Sequence, residues 1–178
     1  MKSARVVAMI CGLGLLAGCV PQRQAPPPLP PQPRQPVQPQ LPPPPPTRLD
    51  WRDMPLTPGS WVYSNQGGTS QALFGAANSG ASFVIRCERA ARRVTLSRAG
   101  NAATNVMTIR TSESARNVGV TAETDPLPYL NARLAANDRL LDAIAFSRGR
   151  FTVEVPGLPM MVLPAWPEPA RVVEDCRG

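Results

Sequence analysis

Chemistry in a protein needs side chains that attack, transfer protons or hold ions, and this chain of 178 residues is short of most of them. It contains no histidine, so Ser-His-Asp and Cys-His catalysis and the commonest zinc ligand are all missing. Lys2 is the only lysine, at the extreme start of the chain, where it cannot serve a Ser-Lys or Schiff-base mechanism in a folded body. Walker and dinucleotide glycine motifs are absent, and Gly67-Gly68 stands in a polar turn with no phosphate-binding lysine after it. Paired carboxylates remain, as in glycoside hydrolysis, and Glu88, Glu113, Glu123, Asp125, Asp138, Asp142 and Glu154 are the candidates. Nothing in their spacing separates two of them from solvated surface acids. No catalytic residue, metal ligand or cofactor site is therefore assigned, and a carboxylate-dependent glycan hydrolase stands as the alternative to a non-catalytic protein.

Arginine is the abundant reactive side chain, within a formal net charge of +7. Arg86, Arg89, Arg92, Arg93 and Arg98 crowd around one expected hairpin. Guanidinium forks bind carboxylates and phosphates, so these five are candidate anion-binding residues. The competing reading is a solvated hairpin face that pairs locally with Glu88.

The N-terminus has three zones in the order of an export signal. Lys2 and Arg5 supply positive charge, and an apolar run from Val6 to Leu16 follows. That run is too short for a hydrocarbon core, which needs about 20 residues. Leu16-Ala17-Gly18-Cys19 then resembles the lipobox of bacterial lipoproteins. The resemblance implies that Cys19 receives a diacylglycerol on its thiol and becomes the new N-terminus, after residues 1–18 are cut away. The competing reading is an ordinary secretory signal with a cysteine at its cleavage site. Val20 replaces the aspartate associated with inner-membrane retention in Gram-negative bacteria, which implies outer-membrane sorting. Several acyl chains anchor firmly, whereas one chain alone binds marginally. The expected location is thus the cell envelope, with the domain lipid-anchored and facing the periplasm. Export also removes the domain from the cell's nucleic acid, so the basic balance points elsewhere: to an anionic envelope polymer or an envelope protein.

If the chain is processed as the lipobox resemblance implies, then of the four cysteines Cys11 leaves with the leader and Cys19 carries lipid. Cys87 and Cys176 remain, the number one disulfide requires in an oxidising compartment. Two separately buried thiols are the alternative. Neither has a cysteine or histidine close in sequence, which gives no support to a CxxC redox centre or a zinc site.

Residues 19–47 form the expected tether: from Pro21 to Thr47, fourteen positions are proline and almost nothing is apolar. Such a composition cannot bury a core. Runs such as Pro42 to Pro46 favour polyproline II, so the segment reads as a stiff spacer of on the order of 80 Å. Its PxxP spacing also suits aromatic-lined recognition grooves, although reach alone accounts for the composition.

Residues 48–178, about 130 in number, suffice for one domain. Alternation marks its strands: Phe83, Ile85 and Cys87 inward with Arg86 outward, then Val94 and Leu96 inward, paired as a hairpin over Glu88 to Arg92. Met107-Thr108-Ile109, Val118-Gly119-Val120, the run through Leu130, Ala132 and Leu134, and Trp61-Val62-Tyr63 read as further strands. A second hairpin joins Phe151, Val153 and Val155 to Met160–Leu163 over Pro156-Gly157, whose residue types suit a type II turn. Asn137 or Asp138 can cap a helix carrying Leu140, Leu141, Ile144 and Ala145, with Gly149 ending it. A last helix begins near Pro167 and aligns Ala170, Val173 and Cys176 on one face, so a Cys87–Cys176 bridge would staple it to a strand. The expected fold is α+β and mainly β: an antiparallel β-sandwich or partly closed barrel with two short helices.

The block Phe146-Ser147-Arg148-Gly149-Arg150-Phe151, with Val153 to Leu158 and the closing Asp175-Cys176, resembles uncharacterised proline-tethered lipoproteins of proteobacteria. Arg86-Cys87 at the end of an early strand and the final cysteine are also similar to periplasmic accessory proteins of type VI secretion. Small lipoprotein inhibitors of lysozyme are a further comparison, but their Ser-Gly-x-x-Tyr loop is not matched by Ser79-Gly80-Ala81-Ser82-Phe83. These resemblances imply an envelope lipoprotein with a binding or structural domain. They identify no site residue.

Overall fold

A computed structural model of the protein describes residues 50–124 and 126–178. The expectations for Cys11, for the lipobox Leu16, Ala17, Gly18 and Cys19, for the proline-rich segment and for Asp125 lie outside those residues.

Alternation of apolar and polar side chains builds the strands. They are β1 (Ser60–Gln66), β2 (Thr69–Gly75), β3 (Phe83–Glu88), β4 (Arg93–Ala99), β5 (Val106–Arg110), β6 (Ala115–Gly119), β7 (Thr121–Glu123), β8 (Tyr129–Ala135), β9 (Arg150–Glu154) and β10 (Met161–Pro164). Two helices join them, α1 (Arg139–Ala145) and α2 (Pro167–Arg177). A six-stranded sheet runs in the order β1-β2-β3-β4-β8-β7 and a four-stranded sheet in the order β10-β9-β5-β6. Every pairing is antiparallel, and neither sheet closes into a barrel. The α+β, mainly β sandwich with two helices is therefore the observed class.

The two expected hairpins form. Phe83–Glu88 pairs with Arg93–Arg98, and a 3-10 turn over Arg89–Ala91 lies between them, with Arg92 in the left-handed region at φ 47°. Phe151–Val153 pairs with Met161–Leu163. Its turn is type II in character: Leu158 N–H donates to Val155 O, and Gly157 takes φ 89° after Pro156.

Strand β2 is not among the expected elements. Gly67 and Gly68, read from sequence as a polar turn, are the two-residue link that folds β2 back on β1, with Gln66 opposite Thr69. Both have positive φ, 59° and 80°, the requirement of a type I′ hairpin turn and a conformation that costs glycine little. The segment expected as Val118–Val120 is divided: β6 ends at Gly119 in the smaller sheet and β7 begins at Thr121 in the larger. Val120 N–H donates to Asn105 O at the crossing, so one stretch of chain belongs to both layers.

The inner face of the larger sheet buries Trp61, Phe74, Phe83, Ile85, Val94, Leu96, Leu130 and Ala132. Phe151 of β9 closes on them from the smaller sheet, its ring 6.4 Å from those of both Trp61 and Phe83. Towards the Cys87 end, α2 packs against β1, β2 and β3, and α1 packs against α2. Asp138, not Asn137, caps α1, accepting from Leu140 N–H at 2.8 Å. Gly149 does not end that helix. The helical bonds stop at Phe146, and Ser147 turns its hydroxyl to Arg150 O, leaving Gly149 at φ 75° to redirect the chain into β9. On α2 the buried stripe is Pro169, Val172, Val173 and Cys176, with Ala170 only half-buried. Cys87 and Cys176 lie 5.5 Å apart at Cα, the separation of a disulfide, so the terminal helix is stapled to β3 as its apolar face requires.

Candidate binding cleft

Strand register decides which polar residues become neighbours, because opposed residues in an antiparallel pair share a face. On the outer face of the larger sheet one row reads Gln71, Arg86, Thr95 and Arg133 across β2, β3, β4 and β8. The next reads Leu73, Val84, Ser97, Asn131 and Thr121, ending on β7. A third holds Ala99, Tyr129 and Glu123, and Pro126 and Leu127 from the β7–β8 connection overhang it. Of these, all but Gln71, Thr121 and Ala99 line a cleft of about 460 Å³, together with Glu88.

Internal bonds set the posture of several lining groups. Thr95 Oγ1 donates to Glu88 Oε1 at 3.2 Å, and Asn131 Nδ2 donates to Glu123 Oε2 at 2.6 Å. Tyr129 OH donates to Ala81 O at 2.7 Å, fixing the ring at the cleft's end. Thr95 and Asn131 are buried, whereas Arg86 and Arg133 are exposed. The ion pairs among the described residues are Arg52–Asp50, Arg110–Glu154, Arg116–Asp138 and Arg177–Asp142. None engages Arg86 or Arg133, so both guanidiniums are available to a ligand on this face.

The five arginines singled out from sequence do not form one patch. Arg86 and Arg93 share the outer face, with Arg93 directly across from Glu88. Arg89 and Arg92 sit on the tight turn beyond the sheet. Arg98 belongs to the inner side, opposite Phe83, where it donates to the carbonyls of Ala99, Ser82 and Pro159. Partial burial holds its guanidinium below the ordinary arginine pKa. Its Nη1 and Nη2 are engaged with backbone carbonyls while its buried Nε has no partner among the described residues, so Arg98 acts as a brace of the inner side and not as part of the outer face.

Arg133, Tyr129 and Asn131 complete the cleft and were not singled out from sequence. Their signal was present as the polar phase of β8, alternating with the apolar Leu130, Ala132 and Leu134. Of the carboxylate candidates, Glu88 and Glu123 line the cleft. Asp138, Asp142 and Glu154 are ion-paired elsewhere, and Glu113 lies in the β5–β6 turn.

A smaller cleft of about 320 Å³ is bounded by Trp51, Arg52, Ser112, Arg148 and Arg150. Most of its charge is in use: Arg52 pairs with Asp50 and lies 4.7 Å over the Trp51 ring, and Arg150 donates to Met54 O. Among the described residues no group of histidine, cysteine and carboxylate side chains is arranged to hold a metal ion, and no helix is long and apolar enough to cross a membrane. No family model, curated protein or solved structure matches the chain.

Proposed function

We propose that this protein is a non-catalytic envelope lipoprotein: acyl chains on Cys19 hold it in the outer membrane, a proline-rich tether spans residues 19–47, and the domain binds a charged envelope component in the periplasm. The observation that carries the binding reading is the placement of Arg86 and Arg133 on one concave sheet face, one on each side of Thr95 and without a carboxylate partner among the described residues. Exposed guanidiniums without internal partners gain most from an incoming carboxylate or phosphate. The Cys87–Cys176 pair supports an oxidising compartment, and the likeness of the Arg86-Cys87 and Asp175-Cys176 segments to type VI accessory proteins supports the same location. No cofactor is required for such a role.

Two experiments test this. Metabolic labelling with a fatty acid should mark the wild-type protein and not the Cys19→Ala variant. Capture from detergent-solubilised envelopes should retain a polymer or protein that the Arg86→Gln/Arg133→Gln double variant does not; equal recovery by an unrelated lipoprotein would end the binding reading.

A second reading rests on Glu88 and Glu123, which line the same cleft. Glycoside hydrolysis needs two carboxylates about 5–10 Å apart, and since register sets these two three strands and six residues apart, this reading requires their side chains to approach each other over the cleft. Release of reducing ends from envelope glycan, lost in Glu88→Gln or Glu123→Gln, would support a hydrolase over a binding module.

A further inference from the structure

The cleft carries both signs of charge, in an order along the strands that a single-sign ligand does not match. Glu88 stands opposite Arg93 in register and accepts from Thr95 Oγ1, which turns its carboxylate towards Thr95. One row further lie Arg86 and Arg133. Their backbones are two strand spacings apart, roughly 10 Å, a gap that two long arginine side chains can close upon one anionic group. The next row offers an apolar floor, Leu73 and Val84, beside the hydroxyl of Ser97 and the amide of Asn131. Glu123 lies beyond it, its carboxylate drawn back towards Asn131. Beyond Glu88 at one end, the cleft therefore reads, along its length, two cations, a mixed apolar and hydrogen-bonding middle, and a second anion, Glu123.

We infer that the ligand is a short extended peptide with free termini, its C-terminal carboxylate held between Arg86 and Arg133 and its ammonium end directed to Glu123. This rests on the binding reading above and specifies its ligand. A polyphosphate or polyuronate would place repeated negative charge against Glu123, and a neutral glycan would leave both guanidiniums unused. A peptide meets these features: carboxylate on the arginine fork, peptide groups against Ser97 and Asn131 Oδ1, ammonium on Glu123, and a side chain directed back towards Val84 beside Ser97. The distance sets its length. Arg133 and Asn131 are two residues apart on β8 and Arg133 and Tyr129 are four, while Glu123 lies one to two strand spacings to the side of the arginine fork, so the charges are separated by about 9–16 Å, which an extended peptide of three to five residues spans.

The probe is trialanine, compared with its C-terminal amide and its N-acetyl derivative, titrated calorimetrically into the purified full-length chain. Trialanine should bind, and the amide should bind about tenfold or more weakly, the loss expected when a charge-assisted pair of hydrogen bonds is removed. N-acetylation should weaken binding less, since Glu123 is exposed and screened. Arg86→Gln/Arg133→Gln should abolish the preference for acid over amide, and Glu123→Gln should abolish the preference for the free amine. Arg86, Arg133 and Glu123 are all surface residues, so unchanged thermal unfolding of these variants is the control for folding. Equal affinity for acid and amide, or no binding of any peptide in the series at millimolar concentration, overturns the peptide inference. The envelope capture above answers separately: if the double arginine variant loses its captured component while no peptide binds, the binding module stands and only its ligand class falls.

Discussion

The indole Nε1 of Trp61 on β1 donates to the carbonyl of Pro164 on β10 at 2.8 Å, and this bond joins the edge strands of the two sheets. Trp61 is buried and meets the rings of Phe74, Phe83 and Phe151, so its side chain serves both layers at once. Replacing Trp61 with phenylalanine keeps an aromatic ring and leaves the Pro164 carbonyl without that donor, at an expected cost of about 1–3 kcal/mol. Trp61→Ala adds a cavity and should cost about 3–5 kcal/mol. Urea unfolding of the two variants distinguishes the hydrogen bond from the packing.

Closure of the Cys87–Cys176 loop, 89 residues apart in sequence, restricts the unfolded chain and fastens α2 to β3. Removing such a bridge typically costs about 2–5 kcal/mol. Thiol reductant should therefore lower the urea midpoint of the wild-type protein and leave a Cys87→Ala/Cys176→Ala variant unmoved. Alkylation of the denatured, unreduced protein should label neither cysteine.

Acid should weaken the start of α1. Asp138 has its carboxyl held below the ordinary carboxylate pKa, chiefly by the Arg116 guanidinium and also by Leu140 N–H, against an opposing effect of burial. The folded pKa lies below the unfolded one, about 3.9. The stabilisation is therefore present above that value and is lost as pH falls through the folded pKa. Asp138→Asn keeps a capping oxygen and should flatten this acid dependence with a small loss at neutral pH, whereas Asp138→Ala should cost about 0.5–2 kcal/mol. Thermal unfolding between neutral pH and pH 2 reads the difference.

Gly59, just before β1, has φ 145°, and a Cβ there would stand 2.7 Å from Gly75 O and 3.0 Å from Phe74 Cε1. Backbone cannot yield as a flexible side-chain end can. Gly59→Ala should destabilise by more than about 1 kcal/mol, measured by urea unfolding, while Gly80→Ala, with nothing within 4 Å of its Cβ, serves as control.

Much of the fold was readable where the signal is local. Alternation in Phe83–Cys87 and Arg93–Ser97 states both the strands and the faces they bury, and the Pro156-Gly157 pair suits the conformation its turn adopts. Strand β2 escaped because its inward residues are Ser70, Ala72 and Phe74, a small polar, a small apolar and only one large side chain. Gly149 misled because a glycine after a helical run suits a helix end, and nothing local shows that Ser147 will bond to Arg150 O first.

The sequence by itself determined the charges available, the absence of histidine chemistry, the two body cysteines and the periodicities from which strands and helices form, because each depends on residues close together along the chain. The tertiary structure alone decided that Arg86 of β3 and Arg133 of β8 flank Thr95, that Arg98 turns to backbone carbonyls, and that Glu123 shares a cleft with Glu88. Polar outward residues on separate strands each look like ordinary surface. Only cross-strand register, set by burying the opposite face of every strand together, brings them into one site.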